Sequence, residues 1–109
     1  VASAIRFRLG HLLFAWDAEK AAANVCTHGI SFEEAATTWL DPLAIERFDG
    51  EHSDTEDRWL RIGSSLRGAL LLVWSTERDT QDQTVIRIIG ARWTNRRERE
   101  LYAEQGKSR

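Results

Sequence analysis

The 109-residue chain contains one cysteine, one proline, one tyrosine and no methionine. A single cysteine, Cys26, excludes an internal disulfide and any multi-cysteine zinc site. It falls on what reads as the buried face of an alanine-rich helix, and is expected to be a small core residue rather than a nucleophile. The lack of methionine, even at Val1, points to a trimmed, tagged or non-ATG start, and residues 1–10 are read as an extension with little structure of its own. No apolar run approaches membrane-spanning length, and the longest, Ala69 to Trp74, suits a strand. No signal-peptide run with a small-residue cleavage site opens the chain, so the cytoplasm is the expected compartment. Generic catalytic signatures are missing too: there is no phosphate-binding glycine loop, no G-x-S-x-G and no HExxH. His11, His28 and His52 lie far apart in sequence, and neither a metal nor a cofactor is expected.

What is present is the composition of one folded domain over residues 1–109, 42% hydrophobic and 29% charged, rather than that of a disordered tail. Net charge is only −2, but it is unevenly spread. Glu33 to Asp57 holds nine acidic residues against one basic, Arg47, whereas Arg92 to Arg109 holds six basic against three acidic. Two solvated faces would account for this. So would a polar molecule with one end for an anionic substrate and the other for a basic partner.

Leu12 to Trp16 reads as an edge strand. Asp17 is placed as the N-cap of a helix running to His28, with Gly29 as its stop. Ser31 to Glu34 is a capping box, with Ile30 and Ala35 as a hydrophobic staple. The helix after it sets Phe32, Ala35, Ala36, Trp39 and Leu40 on one face until Asp41-Pro42 ends it. Leu43 to Asp49 is a weaker strand, followed by an acidic loop over residues 50–57. Arg58 to Ser64 alternates as a strand and should form an antiparallel hairpin with Ala69 to Thr76 around Arg67-Gly68. Arg78 to Thr84 is a polar loop, and the apolar run Val85 to Ala91 suits a central strand. Asn95 to Glu98 forms a second capping box, opening a helix to about Gln105. The expected order, β-α-α-β-β-β-β-α, is an α+β fold: a small antiparallel sheet with helices packed on one face.

The chemistry available is mainly that of arginine. Metal-independent RNA cleavage needs a ribose 2′-hydroxyl in line with its own phosphate, cations for the developing charge, and a base and an acid. Arginine forks bind phosphate oxygens at two points and stay charged. Arg58 at a strand start, Arg92 at a strand end and Arg96 on the following helix would converge if their strands are neighbours. His52, just ahead of Arg58, is a candidate base or acid, since histidine titrates near neutrality. Trp93 and Tyr102 would stack on bases, or serve as core or partner contacts.

Three segments, WDAEKAAANVCTHGISFEEAATTWLDPLA, EHSDTEDRWLRIG and IRIIGARWTNRRERELY, resemble the BrnT family. The matching positions include Trp16-Asp17, Lys20, Asn24, His28-Gly29, Phe32, Asp41-Pro42, the segment from His52 to Trp59, Gly63, and Arg92 to Tyr102 with Glu98. The likeness extends over roughly residues 14–104. It implies a cytoplasmic endoribonuclease of RelE-like fold, the toxin of a bacterial type II toxin–antitoxin pair, that inhibits translation by cutting RNA. It also implies a ribbon-helix-helix antitoxin, a heterotetramer with that antitoxin, and contact with promoter DNA only through it. Carried over by position, Arg58, Arg92, Arg96, Glu98 and Tyr102 fall in segments that form or flank the active site. Arg58, Arg92, Arg96 and His52 are taken as catalytic, and Lys20, Arg97, Tyr102 and Trp93 as substrate-binding. Two positions depart from the family's pattern. Gly90 stands where serine is frequent, and Trp93 where a small, basic or proline residue is usual.

Two further readings stand beside the ribonuclease. One is a catalytically weak or inactive module that captures an antitoxin in transcriptional autoregulation, using the last helix and the acidic middle segment as surfaces. The other is direct nucleic-acid binding, against which a net charge of −2 argues for duplex DNA.

Overall fold

The computed structural model describes residues 4–52 and 56–107; residues 53–55, in the middle of the expected acidic loop, lie outside the described residues. The first element, β1 (Ala4–Leu9), alternates apolar residues with arginine, and Gly10, at φ 61°, turns it back onto β2 (Leu12–Asp17) as an antiparallel hairpin. Phe7 packs on Phe14 and Trp16, with ring centroids 6.5 and 5.6 Å apart. Residues 4–9 are thus a packed strand, not the weakly structured extension expected.

Asp17 ends β2 and caps α1 (Ala18–His28), its Oδ2 accepting from the Lys20 N–H at 2.9 Å. Gly29, at φ 72°, stops the helix as expected. The side of α1 toward the sheet carries Ala21, Asn24 and His28, one helical turn apart. Cys26 lies about 200° round from Asn24 and is exposed, so it is not the core residue anticipated.

Ser31 caps α2 (Phe32–Ala36) through the Glu34 N–H. The helix then tightens into a 3₁₀ turn, Thr37–Leu40, where the Thr37 and Thr38 hydroxyls donate to the carbonyls of Glu34 and Ala35 at 2.6 and 2.7 Å. Three residues per turn instead of 3.6 rotate Leu40 off the apolar stripe, leaving it exposed.

The remaining elements are β3 (Ile45–Phe48), β4 (Arg58–Ser64), β5 (Leu70–Asp79), β6 (Thr84–Trp93) and α3 (Arg96–Lys107). The strands form one sheet in the order β1-β2-β6-β5-β4-β3. The expectation of an antiparallel sheet is corrected at one place: β6 enters the middle, antiparallel to β5 but parallel to β2. The inner face is covered by α1 and α2 and holds Phe14, Trp16, Leu71, Val73, Ile86 and Ile88 with Phe32 and Ala35. Burial of these side chains, each worth on the order of 1.5–3 kcal/mol if fully transferred from water, holds the layers together.

A bulge in β6 decides where its arginine points. Trp74 pairs with Gly90 and Ser75 with Ile88, so Ile89 is an extra residue. Ile86 and Ile88 face inward; without the bulge Gly90 and Arg92 would follow them. With it, Ala91 is inward and fully buried, while Gly90 and Arg92 face outward. The Ala91 N–H donates to Asn24 Oδ1 at 3.1 Å, and Asn24 Nδ2 donates to the Ile30 carbonyl at 2.9 Å. A buried side-chain amide thus satisfies the backbone beyond the short β2–β6 ladder. The third helix, α3, lies against the outer face, and the helices are therefore on both sides of the sheet rather than one.

Candidate active site

On the outer face, strand alternation and register produce a marked charge asymmetry. Arg6 and Arg8 from β1, Arg47 from β3, Arg58 from β4, Arg78 from β5, and Arg87 and Arg92 from β6 all point to this side. The only carboxylate that the strands place there is Asp17, which caps α1. The inner face instead receives Glu46, Glu77 and Asp79 with one arginine, Arg61, which stacks 4.3 Å from the Trp39 ring centre and pairs with Glu46 at 3.2 Å.

One group of site residues gathers where β6 passes into α3. Asn95 and Glu98 form the anticipated capping box in both directions: each backbone N–H donates to the other's side chain at 2.9 Å. Glu98 also receives Arg92 as a two-point pair, Nη1 to Oε1 at 2.9 Å and Nη2 to Oε2 at 2.8 Å. Arg92 Nη1 donates further to the Trp93 carbonyl at 3.0 Å. Burial acts to raise the Glu98 carboxyl, but the Arg92 and Asn95 hydrogen bonds and the charges of Arg92 and Arg99 outweigh it and hold the group below its ordinary range.

Tyr102, one turn further along α3, donates its hydroxyl to Asp41 Oδ2 at 2.6 Å. Asp41 also accepts the N–H groups of Leu43 and Ser64, at 2.9 and 2.8 Å. Burial and the bond to Asp41 push the tyrosine up to about 12. For Asp41, burial acts upward, but the Ser64, Tyr102 and Leu43 donors and the charge of Arg61 bring the carboxyl below its usual value. This knot joins α3 to the Asp41-Pro42 corner and the end of β4.

A second group lies at the opposite end of β4. His52, on a 3₁₀ turn over Gly50–His52, has Nδ1 2.9 Å from Asp49 Oδ2, with its side chain 59% exposed. The Asp49 N–H donates to the Arg58 carbonyl at 2.9 Å, bringing the pair beside the start of β4. A histidine held at one nitrogen by a carboxylate keeps the other for proton transfer.

The two groups share a face but not a point. Arg92 registers with Leu72 and Leu72 with Ile62, four residues along β4 from Arg58. Four residues and two strand spacings separate the Arg58 and Arg92 Cα atoms by about 16 Å. The expected convergence on one phosphate is not formed. Arg96 extends into solvent, its side chain 88% exposed beside Glu100, while Arg97 lines an open concavity of about 860 Å³ floored by Leu60, Ile62 and Leu72. Lys20 is on α1, across the sheet from both groups. Trp93 registers with inward-facing Leu71 and so lies on the face away from Arg92, 59% exposed.

Trp74 had no place in the sequence reading. It lies between the two groups, registered with Leu60 on one side and Gly90 on the other. A Cβ built on Gly90 would overlap its indole ring, so glycine is what lets the ring lie down on the sheet. An alternating strand with a tryptophan opposite a glycine is a weak local signal, visible only once the register is known.

Among the described residues no cluster of three or more His, Cys, Asp or Glu side chains could hold a metal ion, and no helix is long and apolar enough to cross a membrane. A family model, "Ribonuclease toxin, BrnT, of type II toxin-antitoxin system", matches residues 16–98. No curated protein matches the chain.

Proposed function

Because the chain belongs to the BrnT family of type II toxin–antitoxin ribonuclease toxins, we propose that it is a cytoplasmic endoribonuclease that stops translation by cutting RNA without a metal ion, on the outer face of its sheet. The observation that carries this reading is that Arg58 and Arg92 share that face, with His52 and Asp49 beside Arg58. The 2′-oxygen bonds to its own phosphorus as the bond from phosphorus to the 5′-oxygen breaks, leaving a 2′,3′-cyclic phosphate and a 5′-hydroxyl. His52 Nε2 takes the 2′-hydroxyl proton, and water protonates the departing 5′-oxygen. Arg58 offsets the charge on the reacting phosphate, in the manner of preorganised donors. Arg92, about 16 Å away, holds a different phosphate of the same strand, using the N–H groups that Glu98 and Trp93 leave open. Arg96 and Arg97 line the approach to it. Tyr102 acts on substrate indirectly, by fixing α3.

Arginines near the ends of β4, β5 and β6 (Arg58, Arg78 and Arg92), followed by a C-terminal helix that opens with Arg96 and Arg97, support a RelE-like reading of the fold. The family's antitoxin partner is proposed to be a ribbon-helix-helix protein that assembles with this chain as a heterotetramer and carries it to promoter DNA.

One observation favours the second reading, an antitoxin-binding module with little catalysis: Glu98 already occupies much of Arg92. Expression of wild-type, His52→Ala and Arg92→Ala chains without antitoxin, followed by growth and total RNA, separates the two. Growth arrest with RNA fragmentation, lost in both variants while antitoxin still binds, supports the ribonuclease. Intact RNA in arrested cells, or loss of antitoxin binding alone, supports the module.

A further inference from the structure

The outer sheet face carries arginines that the proposed reaction does not use. Arg6 registers with Ala15, Ala15 with Arg87, Arg87 with Thr76, and Thr76 with Arg58. One straight row therefore crosses five strands, with an arginine on every second one and small side chains between. Strand spacing sets neighbouring arginines in this row about 10 Å apart. The next row holds Arg8, Leu13, Val85 and Arg78, so Arg8 and Arg78 widen the basic strip.

Between Arg6 and Arg87 the surface dips into a concavity of about 460 Å³, with Ala15, Val85 and Thr76 among its lining residues. Arg78 lines it as well, and Asp17 and Glu56 are the carboxylates at its rim. Arg6, Arg78 and Arg87 have no carboxylate within ion-pair distance among the described residues. Asp17 accepts the Lys20 N–H through Oδ2. Three exposed guanidiniums against two carboxylates leave this concavity with an excess of positive charge, which favours an anionic ligand.

Arg6 belongs to β1, ahead of the matched residues 16–98. Through the shared row this part of the surface is continuous with Arg58.

We propose that the strip from Arg58 through Arg87 to Arg6 is a backbone track for single-stranded RNA, which holds substrate at a distance from the cutting point. The inference rests on the ribonuclease reading and deepens it by assigning where the rest of the RNA lies. A single strand fits better than a duplex because the row is bordered by Trp74, a π-surface on which an unpaired base can stack. An acidic protein segment would satisfy the same charges, and the measurement below separates it from RNA.

The test measures binding of an uncleavable RNA, a fully 2′-O-methylated single strand, across a salt series. Wild type, Arg6→Ala/Arg87→Ala and Arg6→Lys/Arg87→Lys chains are compared, each checked for an unchanged thermal transition. Removal of two phosphate contacts should weaken binding roughly tenfold at low salt and flatten the slope of log K against log salt by about 1.4. The lysine pair should retain most of the slope, because it keeps both charges. If wild type cleaves RNA but the alanine pair binds with unchanged affinity and slope, the track is wrong while the ribonuclease reading stands. If the alanine pair instead loses antitoxin affinity and keeps RNA affinity, the strip serves the protein partner and the track is again wrong. Wild type that neither binds nor cuts RNA overturns both.

Discussion

Trp74 lies on Gly90 of the neighbouring strand, in the volume a β-carbon would need. The pair sits in the middle of the outer face, between Arg58 and Arg92, and keeps the ring flat on the sheet. Gly90→Ser must displace the indole. The expected cost is about 1–3 kcal/mol, as for other overpacked sites, read as a lower denaturation midpoint in chemical unfolding. An unchanged midpoint would mean that the ring moves freely and does not form a fixed platform.

Asn24 is a structural residue on these contacts. Asn24→Ala leaves the buried Ala91 N–H and the Ile30 carbonyl without their partner. A loss of about 1–3 kcal/mol is expected for such orphaned groups. Hydrogen exchange at the Ala91 amide should accelerate more than at the β5 amides. Uniform acceleration would point to global destabilisation instead.

Glu98 and Arg92 make opposite predictions for RNA. Arg92→Ala removes a phosphate donor and should weaken RNA binding. Glu98→Gln frees the guanidinium from its carboxylate and should strengthen RNA binding, while costing about 1–2 kcal/mol of stability through the lost charge-assisted bonds, allowing for partial exposure. Weakening by both substitutions would show that Glu98 is needed to aim Arg92.

Tyr102 is the only tyrosine, so tyrosinate absorbance reports it alone. Its value is raised to about 12 against 10.0 for a free phenol. A raised group contributes stability fully present below the unfolded value and lost as pH rises through the folded one. Docking of α3 should thus weaken between about pH 10 and 12. Asp41 and Glu98 are depressed, so their contribution is present above the ordinary carboxylate range and lost as pH falls through their lowered values. In Asp41→Asn the tyrosine midpoint should move back toward 10; a midpoint that stays near 12 would assign the shift to burial alone.

Local chemistry was legible in the sequence. The Asp17 and Ser31 caps, the Gly29 stop and the Asn95–Glu98 box depend on neighbours within four residues, and all are found. The Arg58–Ser64 strand and its hairpin partner were equally plain, through their alternation and the turn at Gly68. Ile5-Arg6-Phe7-Arg8-Leu9 alternates just as cleanly, and the strand it forms is as legible as Arg58–Ser64. The facing of Arg92 could not be read, because it depends on a bulge at Ile89 that exists only against β5. For the same reason the facing of Trp93 and the contact of Trp74 with Gly90 are not legible in the sequence. Convergence of Arg58 and Arg92 was an assumption about register, and the register sets them apart.

The most direct measurement is the chemistry of the ends. RNA is incubated with the purified chain in excess EDTA, and the new 3′ termini are identified. Fragments ending in 2′,3′-cyclic phosphate are expected, with the rate reduced about 10²-fold or more in His52→Ala, the usual range for loss of a general base. Fragments that appear only when a divalent cation is supplied and that end in a 3′-hydroxyl would contradict metal-independent cleavage on this face.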